Sequence, residues 1–373
     1  MQFTIATAGR ILFGPGAISR LGSEIAGLGK RILLVLGKRR ELRESLIREF
    51  SDEGLSTVTL EVSGEPDLAV LADGVSLGRN FNAAVVVGIG GGSVIDTGKA
   101  VAALLTNPGD PLDYLEVVGR GQPIQARPAP FIAVPTTAGT GSEVTRNAVL
   151  AVPEKQTKVS LRSPMMLARV AVVDPELTYD LPPAITASTG MDALAQVIEP
   201  YVSRRANPLV DLYCREGITR AGRSLLVAYR QGADPAARED MAFTSLMGGL
   251  ALANAGLGAV HGFAGPVGGM FHAPHGAVCA ALLSPVVAVN ARALSEREPA
   301  NPALPRYMEI ARLVTGDPVA DVTALSRWLD DLRAALQIPR LREYGIRATD
   351  LDGLVEKSAN ASSMKANPLT LTN

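Results

Sequence analysis

Short apolar runs alternate with longer segments of mixed polarity in the first half of the chain. The runs predict strands at 31–36, 56–62, 83–88, 131–134 and 170–174, and the segments between them predict helices, one ending near Phe50 and one starting at Ser93. Strands that are apolar throughout bury both faces, which is typical of a parallel sheet covered by helices. The pattern predicts an α/β nucleotide-binding domain of the doubly wound type.

After residues 181–183 (LPP) the pattern changes to long segments with a 3.6-residue period, and no strand is indicated up to Asn373. Proline fits the first turn of a helix, where no hydrogen bond is lost. We therefore place the domain boundary here, with an α/β domain at 1–181 and an all-α domain at 182–373. The proline-rich residues 119–130 are predicted to form a loop. The apolar stretch 277–289 is too short for a bilayer and predicts a packed helix.

Composition and charge restrict the class of partner. The 373 residues include 36 basic and 37 acidic side chains, so no clustered positive surface for nucleic acid or a membrane is expected, and a small-molecule partner is favoured. Cys214 and Cys279 are too few for a disulfide scaffold and are expected to be buried thiols. The start of the chain lacks the pattern of an export signal, which favours a cytoplasmic location.

Two polar turns follow predicted strands. Residues 90–99 (GGGSVIDTGK) carry three glycines before a helix start, where backbone N–H groups and the helix dipole receive a pyrophosphate. This turn matches neither G-x-G-x-x-G nor the P-loop, and an ordinary glycine-rich turn is the alternative. Residues 135–145 (PTTAGTGSEVT) offer hydroxyls and amides to a polar ligand such as ribose, with a helix cap as the alternative.

All three histidines, His261, His272 and His275, lie within 15 residues, with glycines and prolines that fold the segment back. Asp192 and Gln196 are four residues apart and share a helix face. A carboxylate with two imidazoles is a common set for a catalytic metal. A structural role for core histidines is the alternative.

No Asp, Glu, Lys or Arg occurs from Met241 through Ala291. A pocket built from this segment is apolar apart from the histidines. It suits a small neutral alcohol or aldehyde better than a phosphorylated substrate, which requires Arg or Lys.

Together these motifs resemble the iron-containing (group III) alcohol dehydrogenase family. The resemblance covers nearly the whole chain and rests on six segments in the family's order: GGGS at 90–93, PTTAGTGSE at 135–143, VDPELT at 173–178, LPP at 181–183, GMDAL at 190–194 and PHG at 274–276. It implies the dehydroquinate synthase-like fold, with an N-terminal Rossmann-like domain, an all-α C-terminal domain and a homodimer or larger homo-oligomer. It also implies hydride transfer between a nicotinamide cofactor and an alcohol/carbonyl pair.

The resemblance further implies which residues bind the cofactor and the metal. The cofactor-phosphate turn would be Gly91, Gly92, Ser93 and Asp96, and the adenosine and nicotinamide contacts would be Thr136, Thr137, Thr140, Thr145 and Leu177. The metal positions would be Asp192, Gln196, His261 and His275.

The chain departs from the family at two of its histidine positions, where it has Gln196 and Gly265. A neutral amide oxygen is a weak ligand for iron or zinc. The remaining Asp192, His261 and His275 correspond to the ligand set of the related zinc glycerol dehydrogenases and dehydroquinate synthases. A divalent metal, Fe²⁺ or Zn²⁺, is expected on this set.

The segment Gly37-Lys38-Arg39-Arg40 at the end of the second predicted strand bears on the choice of cofactor. An acidic residue there would favour NAD(H), whereas a glycine and basic residues accommodate a 2′-phosphate. We expect Gly37 and Lys38 to contact the cofactor and NADP(H) to be preferred over NAD(H). A solvated helix start is the alternative.

The leading interpretation is an NAD(P)-dependent alcohol dehydrogenase or carbonyl reductase. His261 and His275 would bind the metal, or act as acids in its absence. His272 would either replace the proton-relay histidine that the resemblance implies at position 265 or line the pocket. Three alternatives stay open: a dehydroquinate-synthase-like lyase, a metal-free reductase of the maleylacetate reductase type, and a nucleotide-binding protein without activity.

Overall fold

The computed structural model describes residues 2–155 and 157–372, and these divide into two compact units. The α/β unit comprises Ala6–Thr137 and Ser142–Leu177. The helical unit runs from Thr178 onward and also takes in Ala138–Gly141 and an N-terminal segment ending at Ile5. The chain thus passes into the helical unit four residues earlier than at the boundary placed at 181/182.

The α/β unit alternates strands and helices. Its elements are β1 (Ile11–Phe13), α1 (Leu21–Ala26), β2 (Arg31–Leu36), α2 (Arg40–Asp52), β3 (Ser56–Glu61), α3 (Leu68–Asn80), β4 (Val85–Gly90), α4 (Gly92–Thr106), β5 (Phe131–Pro135), β6 (Asn147–Val152), β7 (Thr157–Arg162) and β8 (Val170–Val173). Six strands form a parallel sheet in the order β1-β8-β5-β4-β2-β3. The predicted parallel α/β fold is confirmed.

Burial follows the position of each strand in the sheet. Every residue of the inner strands β4, β5 and β8 is buried, whereas the edge strand β3 is partly exposed and carries threonines. Sequence patterning missed the three-residue β1 and the antiparallel β6–β7 pair. Strands of this length or with mixed polarity give no continuous apolar run. The predicted loop at 119–130 has neither helix nor strand.

The strand order reverses beside β2, because β3 lies on one side of it and β4 on the other. The carboxyl ends of β2 and β4 are therefore neighbours, with Leu36 paired to Ile89. Open α/β sheets bind ligands at such a reversal. Gly37 and Gly91, which follow these two strands, both lie at this point.

The helical unit contains α5 (Pro183–Val202), α6 (Pro208–Arg230), α7 (Pro235–Ala255), α8 (Ala259–Phe271), α9 (His275–Arg297), α10 (Ala303–Thr315), α11 (Val322–Ala335) and α12 (Leu351–Ala359). No strand follows β8 within the described residues, which confirms the all-α prediction for this half. Helix α9 is long and apolar enough to cross a membrane, but it packs against α5, α8 and α11 as core helices do.

Candidate metal and cofactor sites

Three helices of the helical unit bring Asp192 and two histidines together. Asp192 lies on the buried α5, His261 is the third residue of α8, and His275 is the first residue of α9. Residues 272–274 reverse the chain between α8 and α9, so that the two imidazole rings lie 5.3 Å apart. The Oδ1 atom of Asp192 is 3.1 Å from Nε2 of His261 and 3.6 Å from Nε2 of His275.

Cys279 joins this cluster. It lies one turn after His275 on α9, and its Sγ atom is 3.7 Å from Nε2 of both His261 and His275. The donor atoms of the four residues all lie within 4.8 Å of one another. The thiol is buried, as predicted, but sequence reasoning missed its place in the site. Its i,i+4 spacing from His275 was the available signal.

The spacing of these donor atoms fits a metal ion. In a tetrahedral zinc site with bonds of about 2.0–2.3 Å, neighbouring ligand atoms are about 3.3–3.8 Å apart. Four of the distances within the cluster range from 3.1 to 3.7 Å, and all its donor atoms lie within 4.8 Å of one another. A carboxylate, two imidazoles and a thiol are also the donor types that zinc and iron take. The residues therefore fit the divalent metal that the sequence motifs imply.

Glu199 sets the orientation of the His261 ring. Its Oε2 atom lies 2.6 Å from Nδ1 of His261, and its Oε1 atom accepts the backbone N–H of Val260 at 2.7 Å. When Nδ1 donates to Glu199, the lone pair of Nε2 faces Asp192. The acceptors Nε2 of His261 and Oδ1 of Asp192 then face each other in a buried position. A cation or a proton between them relieves the repulsion. Glu199 is seven residues after Asp192, on the same face of α5, and was not singled out from the sequence.

The cluster holds protons strongly when it contains no metal. Burial lowers the pKa of His275, but Cys279 and Asp192 outweigh this and raise it to about 9. Burial likewise opposes the charged form of His261, yet Cys279, Asp192 and Glu199 hold its pKa well above the ordinary value. For Asp192 burial raises the pKa, and the two histidines lower it below its ordinary range. The site therefore favours positive charge.

Two other residues predicted for this site, Gln196 and His272, are not among the four donors of the cluster. Gln196 is buried on α5, and its amide nitrogen donates to the carbonyl oxygen of Gly139 at 3.0 Å. His272 is exposed at the end of α8 in a left-handed conformation (φ 53°) and lies outside the cluster of four. A Cβ atom at Gly265 would meet nothing within 4 Å. Space is thus present where the family has a histidine.

The glycine turn of the α/β unit leaves a helix start open. Gly91 caps α4 without any side-chain hydrogen bond, and Gly92 and Ser93 form the first turn of the helix. A Cβ atom at Gly90 would lie 2.5 Å from the side chain of Val94, so only glycine allows this tight turn. The N–H groups of such a start bind phosphate.

Asp96 makes hydrogen bonds with other residues of the α/β unit. Its carboxylate accepts hydrogen bonds from the Ser142 hydroxyl and from the backbone N–H of Val149, the latter at 2.9 Å. Lys99, one turn later, is fully buried and donates to the Ser142 carbonyl oxygen at 2.8 Å and to Thr145 Oγ1 at 3.1 Å. Asp96, Lys99 and Thr145 therefore join α4 to the second polar turn. Lys99 was not singled out from the sequence.

The remaining predicted cofactor residues are spread over both units. Thr136 is buried and Thr137 is partly exposed at the end of β5. Thr140 belongs to the short segment that groups with the helical unit, where Gly141 (φ +59°) packs against the backbone of Gly249. Leu177 is partly buried against the core of the α/β unit.

In the basic segment after β2, Lys38 is the one charged side chain that makes no ion pair or hydrogen bond with the residues that the structure describes. Arg39 donates to the carbonyl oxygen of Leu177 at 2.8 Å, and Arg40 pairs with Glu44 at 2.7 Å. Lys38 is exposed. A Cβ atom at Gly37 would make only an ordinary contact of 3.8 Å, so the glycine is not required sterically.

Residues 8–175 match the family described as iron-containing alcohol dehydrogenase. Residues 186–373 match the family described as "Fe-containing alcohol dehydrogenase family, C-terminal". The chain belongs to the iron-containing alcohol dehydrogenase family. This membership makes it an oxidoreductase of the alcohol dehydrogenase class and implies a nicotinamide cofactor and a metal.

Similar proteins span nearly the full chain. Alcohol dehydrogenase 4 of Saccharomyces cerevisiae is 37% identical over 82% of this chain and 78% of its own length. Choline dehydrogenase of Bacillus subtilis is 32% identical over 97% of this chain and 90% of its own length. The crystal structure of a 1,3-propanediol oxidoreductase superposes with a TM-score of 0.91 at 32% identity, covering 99% of this chain and 96% of the other. The fold predicted by resemblance is confirmed.

Proposed function

We propose that this alcohol dehydrogenase reversibly interconverts a small uncharged alcohol and its aldehyde or ketone, prefers NADP(H), and works in the cytoplasm. The observation that carries the proposal is the Asp192–His261–His275 cluster, built largely from a segment without charged residues. Such surroundings favour a neutral substrate over a phosphorylated one. 1,3-Propanediol, named for one of the similar proteins, is a small uncharged alcohol.

The protein side chains prepare this site for an alcohol oxygen. A divalent metal, Fe²⁺ or Zn²⁺, held by Asp192, His261 and His275 would supply a Lewis acid that stabilises an alkoxide. Glu199 fixes the tautomer of His261, and the buried Asp192 balances positive charge. The side chain of His275 is 36% exposed, against 6% for His261, so His275 is the more accessible of the two histidines in the cluster.

The α/β unit would hold the cofactor at the reversal of strand order. The open start of α4 would receive the pyrophosphate, and Thr136 and Thr137 at the end of the neighbouring β5 would offer hydroxyls. Lys38 would face the 2′-phosphate of NADP(H), which the small Gly37 leaves room for.

A coupled screen tests the activity. The purified protein, loaded separately with Fe²⁺ and Zn²⁺, is given NADPH or NADH with uncharged aldehydes, with phosphorylated aldehydes as the control set. We expect oxidation of NADPH with uncharged aldehydes and loss of that activity on chelation. Activity that survives complete chelation would instead support a metal-free reductase.

The cofactor preference is tested by Gly37→Asp. A carboxylate at this position hydrogen-bonds the ribose of NAD(H) and repels a 2′-phosphate. We expect the ratio of kcat/KM for NADPH over NADH to fall at least about tenfold, which corresponds to about 1.4 kcal/mol. The control Gly37→Asn has the same shape without the charge and should change the ratio less. An unchanged ratio in Gly37→Asp would rule out this assignment.

A homodimer or larger homo-oligomer is also proposed, from the family resemblance. Light scattering on the purified protein should give a mass of at least twice the 39.0 kDa of one chain.

A further inference from the structure

We infer that the Cys279 thiolate is a metal ligand in this protein, completing an Asp192–His261–His275–Cys279 site in place of the histidine missing at position 196. The inference deepens the proposed function, since it assigns the donor set of the same metal. It also predicts which ion the site selects.

The position of Cys279 on its helix supports this role. His275 and Cys279 are one turn apart on α9, so both side chains leave the same face of the helix. The sulfur is fully buried, and its two contacts of 3.7 Å are with the same Nε2 atoms that approach Asp192. It therefore lies within reach of a metal held by these three groups, where it can serve as a fourth donor.

Gln196 is poorly suited to that position. Its amide nitrogen is directed to Gly139, and a neutral amide oxygen is a weak ligand for iron or zinc. A thiolate, by contrast, is charged and soft. The chain thus lacks the imidazole that the resemblance implies at position 196 on α5, and it has in Cys279 on α9 a stronger metal donor than the Gln196 amide.

Cys214 shows what a purely structural cysteine looks like in this chain. It is as fully buried as Cys279, but it lies on α6, outside the cluster of donor groups found among the described residues. Cys214 therefore provides a matched control for burial and thiol chemistry.

A thiolate changes the metal preference of the site. Sulfur donors favour zinc and other softer ions over Mg²⁺ and Mn²⁺, and thiolate with imidazole is a common zinc set. We expect this protein to bind Zn²⁺ in preference to Fe²⁺, although its family is named for iron.

Cobalt substitution tests the ligand directly. The purified full chain is freed of metal and titrated with Co²⁺, and the absorption spectrum is recorded for the wild type, Cys279→Ser and Cys214→Ser. We expect a sulfur-to-cobalt charge-transfer band in the near ultraviolet for the wild type and Cys214→Ser, and none for Cys279→Ser. The Kd for Zn²⁺ should rise at least about 10–100-fold in Cys279→Ser, the range that loss of a supporting group alone produces.

The outcomes separate this inference from the proposed function. Cobalt binding without a sulfur band in the wild type, or an unchanged Kd for Zn²⁺ in folded Cys279→Ser, would overturn the inference even if NADPH-dependent turnover is found. A sulfur band lost only in Cys279→Ser would support the inference even if no alcohol or aldehyde reacts. Circular dichroism verifies that each variant is folded, and Cys279→Ala provides a second variant if the serine protein fails to fold.

Discussion

Individual side chains in the helical unit have separable tasks. His261 is held by Glu199 through Nδ1 and presents Nε2 to the cluster, whereas His275 begins a helix and remains partly exposed. The buried, oriented His261 suits metal binding, and the more accessible His275 leaves room for a substrate to approach.

His275→Ala should lower kcat by about 10²–10⁴-fold, because it removes both a donor to the metal and a potential acid. The Kd for NADPH should stay near the wild-type value, since the glycine turn and Lys38 belong to the α/β unit. Stopped-flow turnover and fluorescence titration with NADPH measure the two quantities. His272→Ala is the comparison, and its exposed position predicts a much smaller effect; a larger loss in His272→Ala would reverse these assignments.

Residue type and spacing in the sequence predicted three of the four donors in the cluster. Asp192, His261 and His275 were singled out because carboxylate and imidazole are known metal donors, and the structure brings them together. Cys279 and Glu199 were missed, since helical spacing shows only that each shares a face with His275 or Asp192, and the groups that this face meets are known only from the fold.

The helices themselves are held by buried polar groups as well as by apolar packing. Asp240 on α7 accepts hydrogen bonds from Arg223 at 2.7 and 2.9 Å, from Arg220 at 3.0 Å and from Ser224 at 2.5 Å. Both arginines and the serine lie on α6. This one carboxylate therefore joins α6 to α7.

Asp240→Asn should reduce stability in a pH-dependent way. Burial raises the pKa of Asp240, but Arg223, Ser224 and Arg220 outweigh it, so the folded pKa is lower than the unfolded value of about 3.9. The carboxylate thus stabilises the fold at pH values above about 4, and this contribution is lost as the pH falls through the folded pKa. We expect the substitution to cost about 1–3 kcal/mol at pH 7.

Urea unfolding at pH 7 and near pH 2 measures this effect. The difference between wild type and Asp240→Asn should shrink at the lower pH, because the wild-type carboxylate takes up its proton as the pH falls through the folded pKa. An equal difference at both pH values would mean that packing, and not charge, is responsible. Asp234→Asn, at the N-terminal cap of the same helix, serves as a comparison that lacks these arginine contacts.

At the scale of the whole molecule, the two proposed ligands belong to different units. The metal donors are all in the helical unit, and the glycine turn and Lys38 are in the α/β unit. Each ligand should therefore stabilise mainly the unit that binds it.

Hydrogen exchange with mass spectrometry tests this division. At a concentration of 100 times its Kd, a ligand contributes about 2.7 kcal/mol to the state that binds it. Zn²⁺ should slow exchange in α5, α8 and α9, and NADPH should slow it at the start of α4. Protection of α4 by Zn²⁺ alone, with α8 and α9 unchanged, would contradict the assignment of the metal to the helical unit.

The sequence by itself determined the two-part architecture, because hydrophobic periodicity is a local property that distinguishes buried parallel strands from long helices. It also determined the family, through six short motifs in order, and the absence of charge around the histidines. Tertiary structure alone decided that Cys279 joins the predicted donors. Asp192 and Cys279 are 87 residues apart in the chain, and only the packing of α5, α8 and α9 places the thiol beside the carboxylate and imidazoles.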